Sequence, residues 1–238
     1  MPLHPQALTV DKPGLRIVGL GGDDKPGVVI KNPGGAADGI TVSQSAAGFS
    51  LENVTVRDFL GNGVVPTGVD RFLLSRITAI GNGEYGLFPV FSSHGVIERS
   101  TATGHTDAAI YVGQSTNIEV RHSTAYGNVL GIEIENSTGV SVLDNESHDN
   151  VVGVGLGSSL LLPALAGLPP EAFADIEPNP DGVRVTNNRV TGNGGVSSIP
   201  FLPAVDLLWD GSGTGNCWLK NRFGTSVPDP LPACPREH

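Results

Sequence analysis

The chain has 238 residues, with 24 Asp and Glu against 14 Lys and Arg, for a net charge of −10. Its 33 Gly, 18 Pro and only 16% charged residues exclude a helical bundle, and the Gly lacks the period of three that a collagen needs. The acidic balance argues against nucleic acid and anionic membranes as partners, and no apolar run reaches the roughly 20 residues of a membrane-spanning helix.

In chain order, residues 1–37 hold three short apolar runs, at 8–10, 15–18 and 28–30, which read as two incomplete first coils of a stack. No amphipathic capping helix precedes them. The expectation is a trimmed end, or one covered by a second copy in a homo-oligomer. Residues 38–157 are a repeat. A small residue followed by an aliphatic recurs at Gly39-Ile40, Gly63-Val64, Gly86-Leu87, Ala109-Ile110, Gly131-Ile132 and Gly153-Val154, at spacings of 22–24 residues. Each pair opens a short alternating strand, such as Ile132-Glu133-Ile134. Two more short segments and a Gly-Asn turn follow. Three short strands per unit predict one domain: an all-β, right-handed parallel β-helix.

Two columns support that register. The third segments align Ser100, Ser123, Asn145, Asn188 and Asn221 at one inward position, where each side chain can bond the next coil about 4.8 Å away. Beside them run Val56, Ala79, Ala102, Ala125, Ser147, Val190 and Phe223, the small-to-medium residues of a narrow core. Residues 158–181 interrupt the repeat with Leu160, Leu161, Leu162, Leu165 and Leu168, which read as a seal on one flank or as a lid. Residues 182–238 supply the last coils and a Pro-rich tail. Cys217 and Cys234 there are either two buried thiols or a disulfide pinning the tail. The exposed setting of Cys234 favours the disulfide.

The runs Asp107-Ala-Ala-Ile-Tyr-Val-Gly-Gln-Ser115, Gly131-Ile-Glu-Ile-Glu-Asn-Ser137 and Trp209-Asp-Gly-Ser-Gly-Thr-Gly-Asn-Cys217 resemble bacterial parallel β-helix repeat proteins of the pectin-lyase-like superfamily. That resemblance implies carbohydrate chemistry, since the superfamily includes polysaccharide lyases, glycoside hydrolases and uronate C5-epimerases. Tyr85-Gly-Leu-Phe-Pro-Val90 is similar to the mannuronan C5-epimerase motif Tyr-Gly-Phe-Asp-Pro-His. Phe88 and Val90 stand where the family has its catalytic Asp and His, so epimerisation by that route is not expected. Together with a disulfide, the resemblance implies an extracytoplasmic protein, secreted or periplasmic, although this chain carries no signal peptide.

Outward positions of the first strand run Thr41, Val65, Phe88, Tyr111, Glu133, Gly155 and then Asp206. A second row runs Ser43, Thr67, Val90, Gly113, Glu135 and Gly157. Glu133 and Glu135 share one face with Cα atoms roughly 6.5–7 Å apart, close to the carboxyl spacing of inverting glycosidases. Gly113, Gly155 and Gly157 are read as open space beside them. The catalytic candidates are therefore Glu133, Glu135, Asp107, His105 and Asp206. Tyr85, Phe88, Tyr111, Gln114, Asn136 and Trp209 are candidates for binding an oligo- or polysaccharide. The bland reading is that the acids solvate an exposed sheet face. No cofactor is expected, apart from Ca²⁺ as an option at Asp23-Asp24 or along the acidic strip. Two functions compete with a glycan-binding or glycan-processing protein: a non-catalytic scaffold, and a small-molecule enzyme closed by the Leu-rich insertion.

Overall fold

A computed structural model describes residues 8–21, 28–32, 34–158, 179–196, 199 and 202–235. Its strands stack in parallel into three long faces of a β-helix. Sheet 2 is the longest continuous ladder, eight strands from Arg16–Val18 to Cys217–Leu219. Sheet 3 has seven, from Val28–Lys31 to Arg189–Val190. Sheet 1 begins with Leu8–Val10, Ile40–Val42 and Val64–Pro66. It continues through the single bridges of Leu87 and Val90. Its long strands are Ala108–Gly113, Leu130–Glu135, Val152–Gly157 and Val205–Trp209. The three N-terminal runs form one coil with a strand in each sheet, rather than two incomplete ones.

The core is a stack of like residues. Ile110, Ile132, Val154 and Leu207 line sheet 1, while Leu51, Leu74, Ile97, Val120, Val142 and Val185 line sheet 2, all at most 2% exposed. The narrow column of sheet 3 is as read from the sequence up to Val190, but Phe223 lies half-exposed past the end of that sheet. The Ser/Asn column also holds. The N–H of Ile77 donates to Ser100 Oγ, that of Ser100 to Ser123 Oγ, and that of Ser123 to Asn145 Oδ1. Asn145 and Asn188 each donate backbone and amide N–H to the next Asn in line, at 2.9–3.0 Å. Such a ladder pairs polar groups that would otherwise be buried at a cost.

From the second coil on, the corner before this ladder takes a left-handed residue: Asn53, Arg76, Arg99, His122, Asp144, Asn187 and Lys220 all have φ of 49–57°. At the C-terminal end, Cys217 and Cys234 form the disulfide. The Trp218 N–H donates to Pro232 O and the Cys234 N–H to Trp218 O, so the tail lies along the last strand of sheet 2. Cross-linking residues 17 apart stabilises a fold by about 3 kcal/mol.

Candidate functional site

The site lies on the outer face of sheet 1. In-register pairing stacks Val65, Phe88, Tyr111, Glu133 and Gly155 in one outward row, and Val90, Gly113, Glu135 and Gly157 in the next. Beyond Gly155 the row continues with Leu208, because Val154 pairs with Leu207 and Gly155 with Leu208.

This face is covered rather than open. All six residues of Ala108–Gly113 and of Val152–Gly157 are buried, as are five of the six in Leu130–Glu135. Outside the sheet, Ala108, Leu130, Val152 and Leu208 pack with Leu202 and Ile199, and Tyr85, Phe88 and Tyr111 pack against this second apolar cluster. The three rings sit together, with centroids 4.5 Å apart for Tyr85–Phe88, 4.9 Å for Tyr85–Tyr111 and 5.0 Å for Phe88–Tyr111. The space expected at Gly113 is filled: a Cβ there would overlap the Tyr111 ring, which lies across this glycine. Tyr111 thereby reaches the neighbouring coil and its hydroxyl donates to Glu135 Oε2 at 2.7 Å.

Glu133 is 1% exposed, so the reading in which the acids merely solvate an open face does not hold. Its Oε2 is buried without a hydrogen-bond partner, as is Oδ1 of Asp107. Burial first, then the charges of Glu135 and Asp107, hold the Glu133 carboxyl well above the usual carboxylate range. Burial likewise pushes Asp107 up to about 6, with Glu135 and Glu84 adding to the rise and a hydrogen bond from Tyr85 opposing it. Both tyrosine hydroxyls are raised, by burial and by the neighbouring acids, and so stay protonated. The structure thus brings together Asp107, Glu133, Glu135, Tyr85, Phe88 and Tyr111. Gln114 and Asn136 follow at a left-handed corner, with φ of 45° and 48° and an amide contact of 3.4 Å.

Three expected site residues serve the scaffold instead. His105 occupies a second inward ladder, at the corner leading into sheet 1. There it takes the place of an asparagine: its Nδ1 accepts the Asn82 N–H, while its own N–H donates to Asn128 Oδ1. Buried at 4% exposure, its imidazole is lowered by desolvation, and it bonds Asn82 while Asp107 bonds Tyr85. Asp206 falls beside Gly153 rather than in the outward row, and ends that same ladder by accepting the backbone and side-chain N–H of Asn193. Trp209 pairs with Leu156 at an inward position. It packs on Trp218 at 5.5 Å and donates to Ser212 O. For Asp206 and Trp209 the alternating pattern failed because the insertion hid the register of the last long sheet 1 strand.

What sequence reasoning missed is the outer apolar cluster. Alternation puts Leu130 and Val152 in phase with the inward Ile132 and Val154, so no sequence signal marked them as members of an outer cluster. The Leu-rich run of the insertion and the Asp23-Asp24 pair lie outside the described residues. Among the described residues, no three His, Cys, Asp or Glu side chains converge to hold a metal ion. No helix there is long and apolar enough to cross a membrane.

A family model of the right-handed beta helix region matches residues 38–213. The chain belongs to the right-handed beta-helix family. No curated protein is significantly similar in sequence. Among solved structures, the periplasmic alginate epimerase AlgG superposes with a TM-score of 0.57 at 14% identity, over 84% of this chain and 43% of that one. A point mutant of the same epimerase gives 0.59 at 13% identity, over 91% and 46%. This beta-helix chain therefore spans less than half the length of those structures, and likeness at such identity establishes the shared fold.

Proposed function

We propose that this beta-helix protein acts outside the cytoplasm on an oligo- or polysaccharide, cleaving a glycosidic bond with Glu133 as acid and Glu135 as base. The observation that carries this reading is Glu133: a buried carboxyl with an unpartnered oxygen, next to a second carboxyl that a tyrosine hydroxyl serves. The two environments push the acids apart in role. Glu133 keeps its proton and gives it to the leaving sugar oxygen as the glycosidic bond breaks. Glu135, with Tyr111 donating to it, takes a proton from water, whose oxygen bonds the anomeric carbon. Glu133 and Glu135 extend from one strand face, with Cα atoms about 6.5–7 Å apart, so that one substrate can meet both. The half-buried Tyr85 and Phe88, backed by the buried Tyr111, offer apolar surface for sugar faces. The alginate epimerase likeness supports a glycan substrate, and the disulfide with that enzyme's periplasmic setting supports the location.

The test is a thermal-shift panel of neutral, amino and uronic oligosaccharides, with Ca²⁺ and with chelator, followed by turnover assays on every hit. A ligand at 100 times its Kd adds about 2.7 kcal/mol, readable as a shift of several degrees. Glu133→Gln is expected to cut turnover by about 10²–10⁴-fold while the variant still binds. Full activity in that variant would remove the acid role.

A second reading, self-association of two copies through the first coil, is favoured by one observation. The strands Leu8–Val10, Arg16–Val18 and Val28–Lys31 are sheet edges, with Leu8, Leu15, Leu20, Val28 and Val29 exposed beside them. A mass that rises with concentration, and falls back on Leu20→Glu, would establish it. A concentration-independent monomer would dismiss it.

A further inference from the structure

The sheet 1 face holds more unmatched acceptors than hydrolysis alone requires. Tyr111 serves Glu135 and Tyr85 serves Asp107, yet Asp107 Oδ1 and Glu133 Oε2 stay buried without donors. A buried acceptor left without a donor is costly, and more so on an acid. Among the described residues, the charges acting on Glu133 are those of other acids, Glu135 and Asp107, and Asp107 also faces Glu84. The ion-paired Arg side chains of the described residues belong instead to sheets 2 and 3 and their corners. Examples are Arg121 with Glu98 and Arg189 with Glu146. What the face needs is therefore a group with several N–H donors and a positive charge. A sugar hydroxyl brings one donor and no charge, and a uronate brings another acid. An ammonium brings three donors and the right sign, and the faces of Tyr85, Phe88 and Tyr111 favour a cation beside them.

Resting on the carbohydrate reading above, we infer that the site takes an oligosaccharide bearing a free amino group, its ammonium held by Asp107 Oδ1 with Glu133 Oε2 accepting a further N–H. In this arrangement Asp107 supplies the charge, and Glu133 keeps a proton on its other oxygen for the leaving group. The substrate would then be a polymer of unacetylated amino sugars, opposite in charge to a polyuronate.

Isothermal titration of the whole chain at neutral pH decides this with three tetramers of equal length: β-linked glucosamine, its fully N-acetylated form, and β-linked glucose. The glucosamine tetramer is expected to bind at least about tenfold tighter than either other. Asp107→Asn is expected to erase that preference, as is raised salt. Equal or tighter binding of the acetylated or glucose tetramer overturns the inference and leaves the carbohydrate reading intact. Failure of all three to bind defeats the inference, and with uronic oligosaccharides also silent it defeats the parent reading. If Asp107→Asn does not fold, the wild-type ranking of the three tetramers decides alone.

Discussion

Sheets 1 and 2 stack side chains at the same interval, yet they treat charge in opposite ways. On sheet 2, Glu98 accepts from Ser75, Arg99 and Arg121 at 2.7–3.1 Å, and Glu52 is held by Arg16 at 2.7 Å and Arg76 at 3.6 Å. On sheet 1, Glu133 is more deeply buried, the charges it meets among the described residues are those of acids, and one of its own oxygens has no hydrogen-bond partner. A stacked fold forces like charges into neighbouring coils, so one face offsets that repulsion with arginine and the other does not. A stable protein keeps such an imbalance where it does chemistry.

The largest expected effect reverses sign between the faces. Glu98→Leu strands Arg121 and Ser75 and should destabilise the fold by about 1–2 kcal/mol, a figure reduced because its arginine partners are partly solvent-screened. Glu133→Leu removes an unmatched buried acid and should be neutral or stabilising in the same urea titration. Destabilisation by both would mean that the sheet 1 acids are structural. Next in size is the pH dependence. Asp107 and Glu133 bind protons more tightly folded than unfolded, so their contribution is complete below the ordinary carboxylate range. It is lost as pH rises through the folded values, about 6 for Asp107. For Glu98, burial raises the pKa but the Arg121 and Ser75 bonds and the arginine charges outweigh it, and Glu52 is lowered chiefly by its bond to Arg16. Both contributions are lost as pH falls below that range. Melting temperature should therefore rise from about pH 8 to pH 5 and then drop, and Asp107→Asn should flatten the upper limb.

Smaller still is Tyr111→Phe, which removes one charge-assisted hydrogen bond to Glu135 worth about 1 kcal/mol. Turnover on any confirmed substrate should fall in this variant; unchanged turnover would separate the Tyr111–Glu135 hydrogen bond from catalysis. The smallest effect is that of salt. About 0.5 M NaCl should cost the exposed pairs of sheets 2 and 3, such as Arg189–Glu146, well under 1 kcal/mol in total stability.

Much of this architecture was legible because a solenoid repeats its own rules. The 22–24-residue spacing, the Ser/Asn ladder and the outward rows of Glu133 and Glu135 can all be read from alternation alone. Two things could not. The left-handed corners carry Arg76, Arg99, His122 and Asp144 rather than Gly, so local propensity gave no warning that tertiary stacking would impose a positive φ there. The covering of sheet 1 comes from residues such as Leu202 that are distant in sequence, so the burial of Glu133 is a tertiary fact. His105 looked like a catalytic imidazole because its ladder position is filled by Asn elsewhere. Only the register shows that an imidazole nitrogen can accept where an amide oxygen does.

Asp206 carries a consequence for the length of the ladder it ends. Each asparagine in its ladder can both receive and pass on a hydrogen bond, much as a bifunctional monomer extends a polymer. A carboxylate only receives. The Asp206 side chain takes four N–H groups, two from Asn193 and those of Gly224 and Thr225, and donates none, while its backbone N–H donates to Thr225 Oγ1. In polymer terms its side chain is a chain stopper for the amide ladder, and the backbone bond to Thr225 runs on to the last strand.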